Sequence, residues 1–245
     1  MKRNESRQRG GRRKTLMVLS AAAGLCATAA HAQSSVTLYG LIDAGIQYRT
    51  NADGQHSAVN LQNYGVLPSQ IGLTGKEDLG GGLQAIFRLE QGINVNDGTA
   101  TVPGYAFFRG AYVGLTGKFG TVTLGRQFSV LFDRTVFYDP LLYAAYSGQG
   151  ELVPLSANFI DNSVKFKSAD YGGFSAEALA ATGGVAGNSR SGRVLEIGAQ
   201  YGGNGYGISA ALQSLTQWLL MRSNIHQAQD AMVWLTGSLN SPAWS

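Results

Sequence analysis

Apolar and polar residues alternate along about nine stretches of this chain between residues 35 and 214. In the first, Val36, Leu38, Gly40, Ile42, Ala44, Ile46 and Tyr48 fall on one face of a period-2 strand. Ser35, Thr37, Tyr39, Leu41, Asp43, Gly45, Gln47 and Arg49 fall on the other. One face suits lipid and the other is mostly polar. The connections alternate short with long, the pattern of a transmembrane β-barrel with turns at one end and loops at the other.

The pattern predicts strands at about 35–49, 66–75, 83–90, 105–116, 121–127, 160–167, 174–180, 195–201 and 206–213. Tight turns fall at Lys76 to Gly82, Gly117 to Gly120, Ala169 to Gly173 and Gly202 to Gly205. The longest connection, Phe128 to Asn158, carries Phe132, Phe137, Tyr138, Leu141, Leu142, Tyr143 and Tyr146. That is too apolar for a solvated linker, so it is expected to pack against something. In the fourth strand Arg109 shares its side with Ala111, Val113 and Leu115, which blurs the alternation there.

The N-terminus changes how the composition is read. Lys2, Arg3, Arg7, Arg9, Arg12, Arg13 and Lys14 precede an apolar run from Leu16 to Ala30 and then Ala30-His31-Ala32, the order of a cleavable export signal. A run of about 15 residues is short for a membrane-spanning helix, which needs roughly 20. Residues 1–32 are therefore expected to be removed. Without them, 12 Lys plus Arg stand against 14 Asp plus Glu, a net charge of −2 in place of the +4 of the whole chain. The basic balance thus belongs to the signal and points to no nucleic-acid partner. Cys26, the one cysteine, leaves with it, so the exported chain has no thiol for a disulfide or a thiolate metal site. Glycine, 34 of 245 residues, is about twice its usual share.

Four segments, in this order and spacing, resemble the general diffusion porins of Gram-negative outer membranes. They are Ser35-Val36-Thr37-Leu38-Tyr39-Gly40, Gly75 to Ala85 (GKEDLGGGLQA), Arg109 to Leu115 (RGAYVGL) and Phe119 to Gln127 (FGTVTLGRQ). Asp161 to Phe166 and Tyr171 to Phe174 extend the match over about residues 33–214. The resemblance implies an all-β, antiparallel barrel of porin type, here a partial barrel of about nine strands. It also implies a homotrimer in intact members and a third loop folded into the lumen. Acids on that loop then face basic residues on the wall, and field and width sort small hydrophilic solutes and ions. By this carry-over Arg109 matches the wall arginine, and Arg88, Arg126 and Lys165 are further wall candidates, Arg126 with an ambiguous facing. Asp133, Asp139 and Glu151 are the acids of the loop. Gln70 and Phe159 stand where the family commonly has arginine, so this constriction is expected to be less basic, with the direction of ion preference open.

The other function classes fit less well. The exported chain has two histidines, His56 and His226, and neither a GxSxG elbow nor an HExxH pattern, so no enzyme is expected. Asp53-Gly54 and Asp97-Gly98 read as turns rather than ligands, and no cofactor or metal is expected. A β-rich adhesin of sandwich type would bury larger side chains and lack the regular loop rhythm. Beyond about Leu215 the character changes: Trp218, Trp234 and Trp244 all fall in the last 28 residues, and Trp218-Leu219-Leu220-Met221 does not alternate. Residues 215–245 are expected to be an atypical tail, out of frame or foreign, and the chain a truncated outer-membrane porin, read as a water-filled channel for small hydrophilic solutes and ions with a remnant that does not conduct alone as the alternative. The family's barrels close on a terminal aromatic, whereas this sequence ends on Ser245.

Overall fold

The computed structural model describes residues 34–139, 158–203, 206–216 and 229–239. The expected signal, residues 1–32, and Glu151 lie outside them.

Among the described residues twelve strands form, all antiparallel to their neighbours: β1 (Ser35–Leu41), β2 (Gly45–Arg49), β3 (Ala58–Gln62), β4 (Gln70–Gly80), β5 (Leu83–Gly92), β6 (Gly110–Gly117), β7 (Gly120–Phe128), β8 (Phe159–Ser168), β9 (Phe174–Ala181), β10 (Val194–Gly203), β11 (Tyr206–Thr216) and β12 (Gln229–Leu239). Ten of them make one sheet in the order β1-β4-β5-β6-β7-β8-β9-β10-β11-β12, and β2 and β3 make a separate hairpin. A helix, α1 (Val130–Tyr138), follows β7. β1 and β12 are the two edges, so the described strands form a partial, open barrel.

The alternation of the sequence is the inside-outside alternation of the sheet. Val36, Leu38, Val113, Leu124, Val164, Ile197 and Ile208 are exposed on the outer face, an apolar row of the kind that suits lipid. Phe119, Phe166, Tyr171, Phe174, Tyr201 and Tyr206 are exposed near the short-turn end and form an aromatic band. The inner face is polar: Thr123, Gln127, Ser163, Lys165, Ser175, Glu177, Glu196, Ser209 and Gln213 are all buried. The apolar core is correspondingly small, made of Val130 and Leu131 of α1 against Ile160, Leu179, Ala181 and Ala211.

The turn expected at Lys76 to Gly82 is shorter, because β4 runs to Gly80, the strand expected from about 105 begins at Gly110, and three further features depart from the sequence expectation. The long first strand breaks at Ile42 to Ala44, where the Asp43 carboxylate accepts from the backbone N–H groups of Val66 and Leu67, and its second half pairs with β3 as a hairpin. The aromatic connection contains α1, begun by Ser129, whose hydroxyl accepts from the Phe132 N–H at 2.9 Å. Finally, β12 lies within the segment expected to be atypical. Its register with β11 pairs Ala231, Val233 and Leu235 with Ser214, Leu212 and Ala210. Met232 and Trp234 between them are also apolar, which hides the period of two in the sequence.

Candidate functional site

The charged side chains of the inner face gather in two groups. The first is built on β5. Arg88 and Glu90 are two residues apart and so share the inner face. Glu90 is 0% exposed and holds three partners: Arg88, Arg109 through Nε at 2.9 Å, and the Tyr39 hydroxyl of β1 at 2.5 Å. Arg109 lies just outside the strand whose alternation it blurs in sequence, because β6 begins only at Gly110. Its backbone N–H bonds to the Glu90 carbonyl at 3.1 Å, its side chain turns inward, and its guanidinium lies over the ring of Phe128.

The second group pins α1 to the wall. Asp133 pairs with Lys165 of β8, whose ammonium also donates to the Phe128 carbonyl at 3.2 Å. Arg134, the next residue, reaches Glu177 of β9 and Gln200 of β10. Glu196 of β10 accepts from the Val130 N–H in the first turn of α1 and from Gln213 of β11. An acid near the helix N-terminus satisfies one of its otherwise unpaired donors and opposes the positive end of the dipole. Glu177 further faces Lys167 at 3.3 Å and Lys165 at 3.8 Å.

Between the two groups lies a cleft of about 300 Å³, into which Arg88, Arg109, Lys165, Lys167, Tyr112, Thr121, Thr123 and Asp133 project. Four of the residues singled out from sequence, Arg88, Arg109, Lys165 and Asp133, thus meet around one space. Arg126 does not join them: it stacks against Tyr105, Phe108 and Phe159, donates to the Phe108 carbonyl at 2.6 Å, and pairs with Asp161 at 2.5 Å. Asp139 closes α1, its N–H bonded to the Val136 carbonyl, and does not line the cleft. Phe159, at a position where arginine was weighed, belongs to the aromatic cluster with Phe108 and Phe128. Among the described residues no cluster of His, Cys, Asp or Glu is arranged to hold a metal ion.

Sequence reasoning missed Glu90, Glu177, Glu196 and Arg134. The three glutamates do sit on the polar rows of their strands, so period 2 placed them correctly. Arg134 went unseen because only acids were sought on the loop.

Residues 18–231 match the model of the Gram-negative porin family. The chain belongs to that family. An outer membrane porin protein of Bordetella pertussis is 37% identical over 180 residues, 66% of this chain and 46% of the relative. Outer membrane porin protein 32 of Delftia acidovorans is 34% identical over 172 residues, 67% of this chain and 48% of the relative. Among solved structures, an anion-selective porin from Comamonas acidovorans superposes with a TM-score of 0.65 at 29% identity, covering 75% of this chain and 58% of that one. The chain spans about half the length of the curated relatives it matches. As a porin-family chain it is an outer-membrane protein, and the lipid-facing row and polar inner face are those of a porin wall.

Proposed function

We propose that this porin chain forms the wall of a water-filled passage through which small hydrophilic solutes and ions diffuse passively, with anions favoured. It carries out no catalysis. Arg88, Arg109 and Lys165 on the wall and Asp133 on the inward helix line the narrow part. The observation that carries this reading is the layering of charge. The cations Arg88 and Lys167 are 32% and 58% exposed at the cleft, whereas the carboxylates that balance them, Glu90 and Glu177, are fully buried behind. Among the described residues Asp133, 33% exposed, is the one carboxylate lining the cleft, against Arg88, Arg109, Lys165 and Lys167, so a solute meets a net positive charge in a confined and poorly screened space. The likeness to a porin described as anion-selective supports the same direction. Outer-membrane lipid is the partner of the apolar row, and a homotrimer is the assembly this family membership favours.

The open edges support a second reading, a porin wall that does not conduct by itself. Among the described residues β1 and β12 each have one partner strand, and backbone groups left unpaired in hydrocarbon cost several kcal/mol each, so a passage needs those two edges covered. Planar-bilayer recording on the refolded 245-residue chain separates the two. Discrete open steps with an anion-directed reversal potential in a salt gradient support the passage. A folded, heat-modifiable species without steps supports the second reading, and a cation-directed potential overturns the proposed selectivity.

A further inference from the structure

One carboxylate ties the inward helix and the basic wall together. Glu177 is fully buried, yet three cations converge on it: Arg134 from α1, Lys167 at 3.3 Å and Lys165 at 3.8 Å. Its Oε2 accepts no hydrogen bond among the described residues and faces the Lys165 ammonium only as an ion pair. Glu177 does not line the cleft, whereas Lys165 and Lys167 do. The loop helix therefore does not simply oppose acid to a basic wall. It drives a cation, Arg134, 3% exposed, into a wall acid, and places its own acid, Asp133, on a wall cation.

We infer that Glu177 is a positioning residue that sets the ion preference of the cleft without touching a solute. Its single negative charge is shared among three positive ones. Arg134 is buried with it, so the share that reaches the cleft is the attenuation of Lys165 and Lys167. The same bonds fix where those ammonium groups stand, since Lys167 lies directly across the β8–β9 ladder from Glu177 and directly across the β7–β8 ladder from Thr121. Glu177 thus moderates the positive field while holding its sources at the surface. This inference rests on the passage reading, because it concerns the potential a solute meets in that cleft.

The test reads local potential without requiring conduction. A Cys26→Ser chain carrying Thr121→Cys, refolded in detergent, is reacted with an anionic and a cationic methanethiosulfonate of similar size. The measured quantity is the ratio of the anionic to the cationic rate. Glu177→Gln should raise that ratio about three- to tenfold at low ionic strength, with the gain shrinking as salt screens it. Glu177→Asp should keep the ratio near its starting value. A starting ratio above one that Glu177→Gln leaves unchanged overturns the inference. A starting ratio at or below one that Glu177→Gln still raises overturns the anion-favouring passage and upholds the role of Glu177. Should Glu177→Gln fail to fold, Lys167→Met, on an exposed side chain, carries the test. The ratio then falls about threefold or more, and an unmoved ratio overturns the proposal.

Discussion

The Tyr39 hydroxyl donates to the Glu90 carboxylate at 2.5 Å across the whole width of β4. The residue of β4 that lies between them is Gly72, paired with Tyr39 on one side and with Glu90 on the other. A Cβ at Gly72 would stand 2.5 Å from the Tyr39 ring, so the glycine is the floor on which the ring lies. Gly72→Ala is expected to lift the ring and break the bond to Glu90. The cost should be about 1–3 kcal/mol, because a buried acceptor loses a partner. Tyr39→Phe should cost somewhat less, since the ring stays in place. Urea unfolding in detergent micelles measures both. If the two losses simply add in the double variant, the ring and the glycine are not coupled as described.

Replacing Arg109 with serine has two expected consequences. Glu90 keeps only Arg88 and Tyr39 in a fully buried position, so stability falls by about 1–3 kcal/mol. A fixed positive charge also leaves the cleft, so the reversal potential in a salt gradient shifts toward cations. A destabilised protein with an unchanged reversal potential would confine Arg109 to a structural role.

The sheet was legible because lipid outside and water inside impose a period of two on every strand. The register that places Val164 outward and Lys165 inward is readable from those two residues alone. Arg88 and Lys165 were legible for the same reason, and Asp133 only through the resemblance, as an acid of the inward loop. Arg109 was legible from the resemblance rather than from the alternation, because its side chain obeys the loop that precedes β6; the ambiguous facing was that of Arg126, which turns to the aromatic cluster. Helix α1 stayed hidden inside an aromatic stretch, although Ser129 with Asp133 in the first turn is a helix-start signal. Without the helix there was no reason to pair Glu177 or Glu196 with anything, since what they bind comes from 43 and 66 residues away along the chain.

The tip of the β2–β3 hairpin should respond to acid. Asp53 accepts from the backbone N–H of His56, from the His56 ring and from the backbone N–H of Gln55, which together hold its carboxyl down at about 2, below the ordinary 3.8. A carboxyl depressed in the folded state contributes stability that is complete above the unfolded value and is lost as pH falls through the folded one. The turn should therefore loosen between about pH 4 and pH 2. The amide resonances of Gln55 and His56 are expected to titrate with a midpoint near 2 and to lose that titration in Asp53→Asn. A midpoint near 4 in the parent protein would show that the carboxylate is not held.

Helix α1 offers the most direct test of where the proposed passage is narrow. Three contacts fix α1 to the wall: the Val130 N–H on Glu196, Asp133 on Lys165, and Arg134 on Glu177 and Gln200. All three precede Phe137. Deleting Phe137 to Tyr146 should therefore remove the apolar part of the segment while the helix start stays anchored, and single-channel conductance should rise. Deleting Val130 to Tyr138 should raise it further and add current noise, because Lys165, Glu177 and Glu196 then lose the partners that order them. The measurement is single-channel conductance at fixed salt, compared with an otherwise identical conducting chain. Conductance that stays equal after either deletion would place the segment outside the permeation path and leave Arg88 and Arg109 as the narrowest charged lining.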